Sequence, residues 1–196
     1  MALAEVSQIG TNAAALLVLR RSPRQNGVGT EADSIELPVD SQPLPMFSPL
    51  EASEAILNYV LDTNAVSAAM KGDPNVLERM RAAGRKRLAV PEPVYAEIAY
   101  GIERLPKSKK RSKLLALYNA IYEELGSMPW THGVTEHFVS VKSTLEHKGK
   151  RIEDFDAAIA AHALAAGAIL ATADLDHMER VLGLKVEDWA AALSRR

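Results

Sequence analysis

The chain has 196 residues, 47% of them hydrophobic, with 23 lysines and arginines against 25 aspartates and glutamates and no cysteine. That length and apolar share suit a single domain with an ample core, while the missing cysteines exclude disulfides and thiol chemistry and fit a reducing cytoplasm. No apolar run approaches the ~20 residues needed to cross a bilayer, and Ala13–Leu19 is followed by Arg20 and Arg21, whereas a secretory signal carries its bases in front.

Residues 1–56 read as something other than domain. Pro38, Pro43, Pro45 and Pro49, with Gly27 and Gly29, give the segment a linker-like composition. It carries three basic residues against seven acidic ones (−4), which leaves 20 against 18 (+2) in the rest of the chain. The expectation is a poorly structured extension, or a start assigned too far upstream, with the domain at 57–196. In the domain the bases cluster at Arg85-Lys86-Arg87, from Lys107 to Lys113, and at Lys148, Lys150 and Arg151. Such clusters can follow a phosphate backbone or simply face water.

From residue 57 the chain alternates strand and helix. Asn58-Tyr59-Val60-Leu61 is a short apolar run that ends on Asp62, with Thr63 and Asn64 next. An apolar run of this kind suits a parallel strand buried on both faces, and ligands of open α/β sheets sit just beyond the strands' carboxyl ends. Helices are expected from Asp73 to Ala83, Ser108 to Leu125 and Val134 to Lys148, and strands near 87–90, 127–130, 168–172 and 184–186. Pro91 and Pro93 open a helix in which Val94, Ile98 and Ile102 form a buried stripe, so Glu97 borders that stripe. The helix at 108–125 has more apolar surface than one sheet face uses; core packing accounts for most of it, a dimer or partner surface being the alternative.

Two later acids follow the same logic. Asp156 stands in the first turn of an alanine-rich helix that stops at Gly167, where Ile159, Ala160 and Ala163 lie three, four and seven residues on. Its neighbour Asp154 points to another face and suits N-capping. Asp174 follows the apolar run Ala168–Thr172. Each acid alone is as well read as a helix cap or a solvated charge. Together, Asp62, Glu97, Asp156 and Asp174 would crowd one crevice, where like charges repel unless a cation neutralises them. Mg²⁺ or Mn²⁺, which take carboxylate oxygens, fit that need. The five histidines show no metal-ligand spacing, and His162 is expected to pack or hydrogen-bond within its helix.

These segments resemble the motifs of PIN-domain nucleases. Tyr59–Asn64 and Val94–Ile102 are similar to the first two motifs and Arg151–Ala163 to the third. Ala171–Asp174, followed by Val181–Trp189, is similar to the closing one. The nearest subgroup is the VapC-type toxin of bacterial toxin–antitoxin pairs, and the likeness runs over roughly 57–192. Met178 departs from it, standing where an aromatic is common, as does the extra acid Asp154; many relatives carry asparagine in place of Asp174. The resemblance implies a three-layer α/β/α fold with a central parallel sheet of about five strands. It also implies a Mg²⁺- or Mn²⁺-dependent endoribonuclease that cuts RNA, is neutralised by a cognate antitoxin and forms a homodimer. By carry-over Asp62, Glu97, Asp156 and Asp174 hold or orient the metal, and Asn64, Thr63 and Thr172 hydrogen-bond ligands, water or the scissile phosphate. The competing expectation is a PIN fold kept only for binding RNA or a partner. A phosphoaspartyl phosphatase would need aspartate at position 64, which is Asn64. A receiver domain would need paired acids after the first strand, where Leu61 precedes Asp62.

Overall fold

The structure is a computed structural model and describes residues 57–191; the expected extension at 1–56 lies outside the described residues. Four parallel strands form the sheet, in the order β2-β1-β3-β4. They are β1 (Tyr59–Leu61), β2 (Leu88–Ala89), β3 (Ile169–Thr172) and β4 (Lys185–Asp188). Val60, Leu61, Leu170 and Ala171 are fully buried, the burial on both faces that their unbroken apolar runs call for.

Helices flank the sheet. Between β1 and β2 run α1 (Thr63–Lys71) and α2 (Pro74–Ala83). Between β2 and β3 run α3 (Glu92–Glu103), α4 (Lys109–Leu125), α5 (His132–His147) and α6 (Asp154–Ala165). The one-turn α7 (Leu175–Met178) precedes β4. Local chemistry sets their ends. Asp73 caps α2, its Oδ1 accepting the Asn75 and Val76 N–H groups at 2.9 and 3.1 Å with Pro74 at the first helical position. Gly72 closes α1 at φ 83°, a left-handed conformation that glycine adopts without a Cβ clash.

The segment at 127–130 departs from expectation. It contributes a single parallel bridge, Pro91 to Met128, and no strand. Met128 accepts and donates one bond each, with Glu92 N–H and Val90 C=O. The partner segment turns into helix α3 at Glu92, directly after Pro91, so the pairing has nowhere to continue and the fifth strand of the expected sheet is reduced to that bridge.

The strand order places the site. Starting from β1, the chain adds β2 on one side and β3 and β4 on the other, so the direction reverses between β1 and β3. Crevices of open α/β sheets form at that reversal, beyond the carboxyl ends of the strands. The register pairs Leu61 with Ala171, and Asp62 N–H donates to Ala171 C=O at 3.0 Å. Asp62 and Thr172 therefore come side by side at the mouth of the crevice. Below them α6 is buried from Ala157 to Ala163 on every side. Its alanines let α5, α3, β1 and β3 all approach closely, and no single face of α6 can be called the apolar one.

Candidate active site

Asp62 is the innermost acid, with 3% of its surface exposed. Its Oδ1 accepts the Thr63 N–H at 2.6 Å and its Oδ2 the Thr172 hydroxyl at 2.6 Å. Burial raises its pKa, and Glu97 and Asp174 push the same way, against those two hydrogen bonds. Glu97 is brought in by α3. Its Oε2 accepts the Thr63 hydroxyl at 2.5 Å, which ties the start of α1 to α3.

Asp174 enters from the loop after β3. Its backbone N–H donates to Thr172 Oγ1 at 2.9 Å. Its carboxylate caps the short α7, with the His177 N–H at 3.4 Å and His177 Nδ1 2.7 Å from Oδ2. Asp156 closes the group from the first turn of α6. It is pushed up to about 6, first by burial and then by the charges of Asp62, Asp174 and Glu97, with only His177 opposing. Among the described residues no donor reaches its carboxylate. Of the residues expected at the site, the four acids therefore converge, and Thr63 and Thr172 are in it as well.

Three expectations need correction. His177 joins the cluster, since it, Asp156 and Asp174 each offer a ligand atom within 4.8 Å of the others. The spacing Asp174-x-x-His177 was the signal: residues three apart share a helix face, but a helix of one turn leaves no periodicity to reveal it. Thr63 and Thr172 spend their hydroxyls on Glu97 and Asp62, so they hold carboxylates where ligand contact was expected; Asn64 is exposed. Asp154 is no cap. Glu153 occupies the cap position of α6, Asp154 is the first helical residue, and its exposed carboxylate pairs with Lys142. His162 behaves as expected: it is buried, and Nδ1 donates to Ala158 C=O at 2.8 Å.

Two surroundings complete the picture. A groove of about 400 Å³ opens beside Thr63 and Glu97 and runs between Met70, Ile98, Ile102 and Leu114. The basic clusters are partly consumed within the fold: Arg85 pairs with Glu124 at 3.3 Å, Arg111 with Glu103, and Arg151 with Glu146 at 3.6 Å.

Chemically, Asp156, Asp174 and His177 could hold a divalent cation, with the carboxylates of Asp62 and Glu97 nearby. Oxygen ligands suit Mg²⁺ and Mn²⁺, and one nitrogen is compatible with the latter. The Asp156 carboxylate, partly buried among three other acids without a donor, is the group that such an ion would satisfy.

Comparison with known proteins accords with this geometry. Residues 59–183 match the family model described as PIN domain. The chain is 33% identical over 135 residues to Ribonuclease VapC2 of Haemophilus influenzae, covering 68% of this chain and 99% of that protein. It is 26% identical over 135 residues to the tRNA(fMet)-specific endonuclease VapC of Shigella flexneri, covering 69% and 100%. Among solved structures, DNA-bound VapBC from Salmonella typhimurium aligns with a TM-score of 0.62 at 28% identity, covering 68% of this chain and 98% of that one. VapBC2 from Rickettsia felis, bound to a promoter DNA fragment, aligns with a TM-score of 0.60, also at 28% identity, covering 67% and 98%.

Proposed function

This chain belongs to the PIN-domain family, and we propose that it is a VapC-type toxin, an endoribonuclease dependent on Mg²⁺ or Mn²⁺ and neutralised by a cognate antitoxin. The observation that carries this reading is the convergence of Asp62, Glu97, Asp156 and Asp174 at the reversal point of the sheet, with the pKa of Asp156 raised first by burial and then by the charges of the other three. The relatives' names support the activity, and the VapBC complexes support the antitoxin partner.

In this reading Asp156, Asp174 and His177 hold the cation, with Asp62 and Glu97 completing its surroundings. The chemistry such an ion would supply there is activation of water and offsetting of the charge that builds on the scissile phosphate. The chain's own residues supply the positioning. Thr172 fixes Asp62 and the Asp174 backbone, and Thr63 fixes Glu97. Asn64, exposed in the first turn of α1, presents an amide that can donate to a phosphate oxygen. Homodimerisation belongs to the same proposal: Leu115 and Tyr122 on α4 are exposed, apolar surface that packing within the fold leaves in water.

Mapping new 5′ ends in total RNA after induced expression tests the function. Discrete new ends with the unsubstituted chain, absent with Asp62→Asn, support it and identify the RNA class that is cut. An unchanged pattern of ends, at full expression, defeats it.

A further inference from the structure

A ridge of aromatic rings leads away from the acidic crevice along α5. Trp130, just ahead of α5, has 47% of its surface in water. Its indole is nonetheless held on three sides. Nε1 donates to Thr135 Oγ1 at 2.7 Å, the Phe138 ring lies 5.4 Å away at 65°, and the His162 ring lies 5.5 Å away at 84°. One helical turn beyond Phe138, Lys142 places Nζ 5.9 Å from the Phe138 ring centre and pairs with Asp154. Asp154 opens α6, where the half-exposed Phe155 and then Asp156 follow. Direct contacts therefore run without a break from Trp130 to the residues beside Asp156. The exposed Lys148, Lys150 and Arg151 lie in the connection between α5 and α6, at the crevice end of the ridge.

A large ring that is fixed in place and left half in water contributes little to the core for its size. What it does offer is a rigid π-face that loses almost no freedom when something stacks on it. Proteins that bind single-stranded nucleic acid combine such faces with basic residues that follow the backbone, and the stacking tolerates any base. Along the axis of α6 the rise from Asp156 to His162, which touches Trp130, is about 9 Å at 1.5 Å per residue; the two lie on different faces of the helix, so Trp130 suits bases a few nucleotides from a phosphate in the crevice, and Phe155 the nearer ones. We propose that Trp130, with Phe155 nearer the crevice, forms a stacking platform for unpaired bases of the RNA flanking the scissile phosphate. This rests on the ribonuclease reading above. An exposed tryptophan can also anchor a protein partner. Continuity with the carboxylates, and the exposed Lys148 and Lys150 in the connection between α5 and α6, favour RNA.

The test uses the full chain carrying Asp62→Asn, so that RNA is bound without being cut. Trp189 is 2% exposed, so quenching of tryptophan emission on titration with an oligouridylate decamer reports on Trp130. A saturable quench is expected. By anisotropy of the fluorescein-labelled decamer, adding Trp130→Ala should weaken Kd roughly 5- to 100-fold, the range of one lost base stack, and Trp130→Phe should restore most of it. A duplex of the same length, whose bases are unavailable, should bind equally with and without Trp130. Absence of a saturable quench overturns the proposal, and that measurement needs no substitution at position 130. Unchanged decamer affinity in a folded Trp130→Ala protein overturns it too, as does loss of antitoxin binding with RNA affinity intact. Cleavage by the unsubstituted chain in Mn²⁺ is read in parallel: if it persists while the stacking result fails, only this inference falls.

Discussion

The Thr172 hydroxyl donates to Asp62 Oδ2 at 2.6 Å, joining the carboxyl ends of β3 and β1 across the point where the sheet reverses direction. Thr172 Oγ1 in turn accepts the Asp174 N–H at 2.9 Å. One buried hydroxyl thus sets two of the four acids. Thr172→Val keeps the shape and removes both bonds. It should lower the cleavage rate about 10- to 100-fold, the usual effect of losing a partner that orients a metal ligand. It should also cost ~1–3 kcal/mol of stability through buried groups left unpaired. Thr172→Ser should retain most of both. Melting temperatures and cleavage rates of the two variants check this; a valine variant that cleaves like the unsubstituted chain would show that Asp62 needs no such support.

Asp154 and Asp156 separate by position in α6. Asp156 lies among the site acids, and Asp154 faces solvent and Lys142. Asp156→Ala should eliminate Mn²⁺-dependent cleavage. Asp154→Ala should keep substantial activity and cost at most ~1 kcal/mol, as the loss of an exposed ion pair does. Parallel cleavage assays and thermal melts of the two variants decide it, and the reverse pattern of activity would place the wrong face of α6 at the crevice.

Metal-free stability should fall as pH rises through the weakly acidic range. Asp156 is pushed up to about 6 from the usual 3.8, so between those values the folded chain binds more protons than the unfolded one. Its contribution is fully present below about pH 4 and is lost as pH climbs to about 6. Asp62, also raised, adds with the same sign. Two pH units correspond to about 3 kcal/mol; partial exposure of Asp156 reduces this to ~1 kcal/mol. Melting of the EDTA-treated protein in a pH series should show the decline, Asp156→Asn should flatten it, and saturating Mn²⁺ should raise the melting temperature at pH 7. A melting temperature at pH 7 that is insensitive to both would speak against an Asp156 carboxyl strained by burial and by the neighbouring acids.

Removal of residues 1–56 should leave the domain working. Leu57 packs against the core, and a methionine in its place is close in volume, a swap that cores tolerate at less than about 1.5 kcal/mol. A chain beginning Met-Asn58 should fold, bind Mn²⁺ and cleave RNA at a rate close to that of the full chain. An insoluble product would show that the removed segment covers apolar surface.

Much of this was legible in the sequence because strand ends and helix stripes leave periodic traces. The run Tyr59-Val60-Leu61 before Asp62 and the stripe Val94, Ile98, Ile102 beside Glu97 marked both acids, and α2 and α4 lie within a residue of their expected bounds. Features below the length of a period escaped. Residues 127–130 carry strand-like apolar character, but their partner segment becomes helix α3 at Glu92, which leaves one bridge. His177 sits in a four-residue helix, too short for a stripe. Asp154 misses the expected cap role because α6 starts one residue earlier, with Glu153 at the cap position, and its partner, Lys142, belongs to α5, twelve residues back. The hydroxyls of Thr63 and Thr172 point to carboxylates 34 and 110 residues away, a pairing that only the folded sheet creates.

The most direct test of the central claim is cleavage of RNA by the purified full chain and its Asp62→Asn variant, each with Mg²⁺ or Mn²⁺ and with excess EDTA. The account predicts cleavage by the unsubstituted chain with metal, none with EDTA, and none by a folded Asp62→Asn protein under either condition. Full activity of Asp62→Asn with Mg²⁺, or undiminished cleavage in excess EDTA, would contradict it.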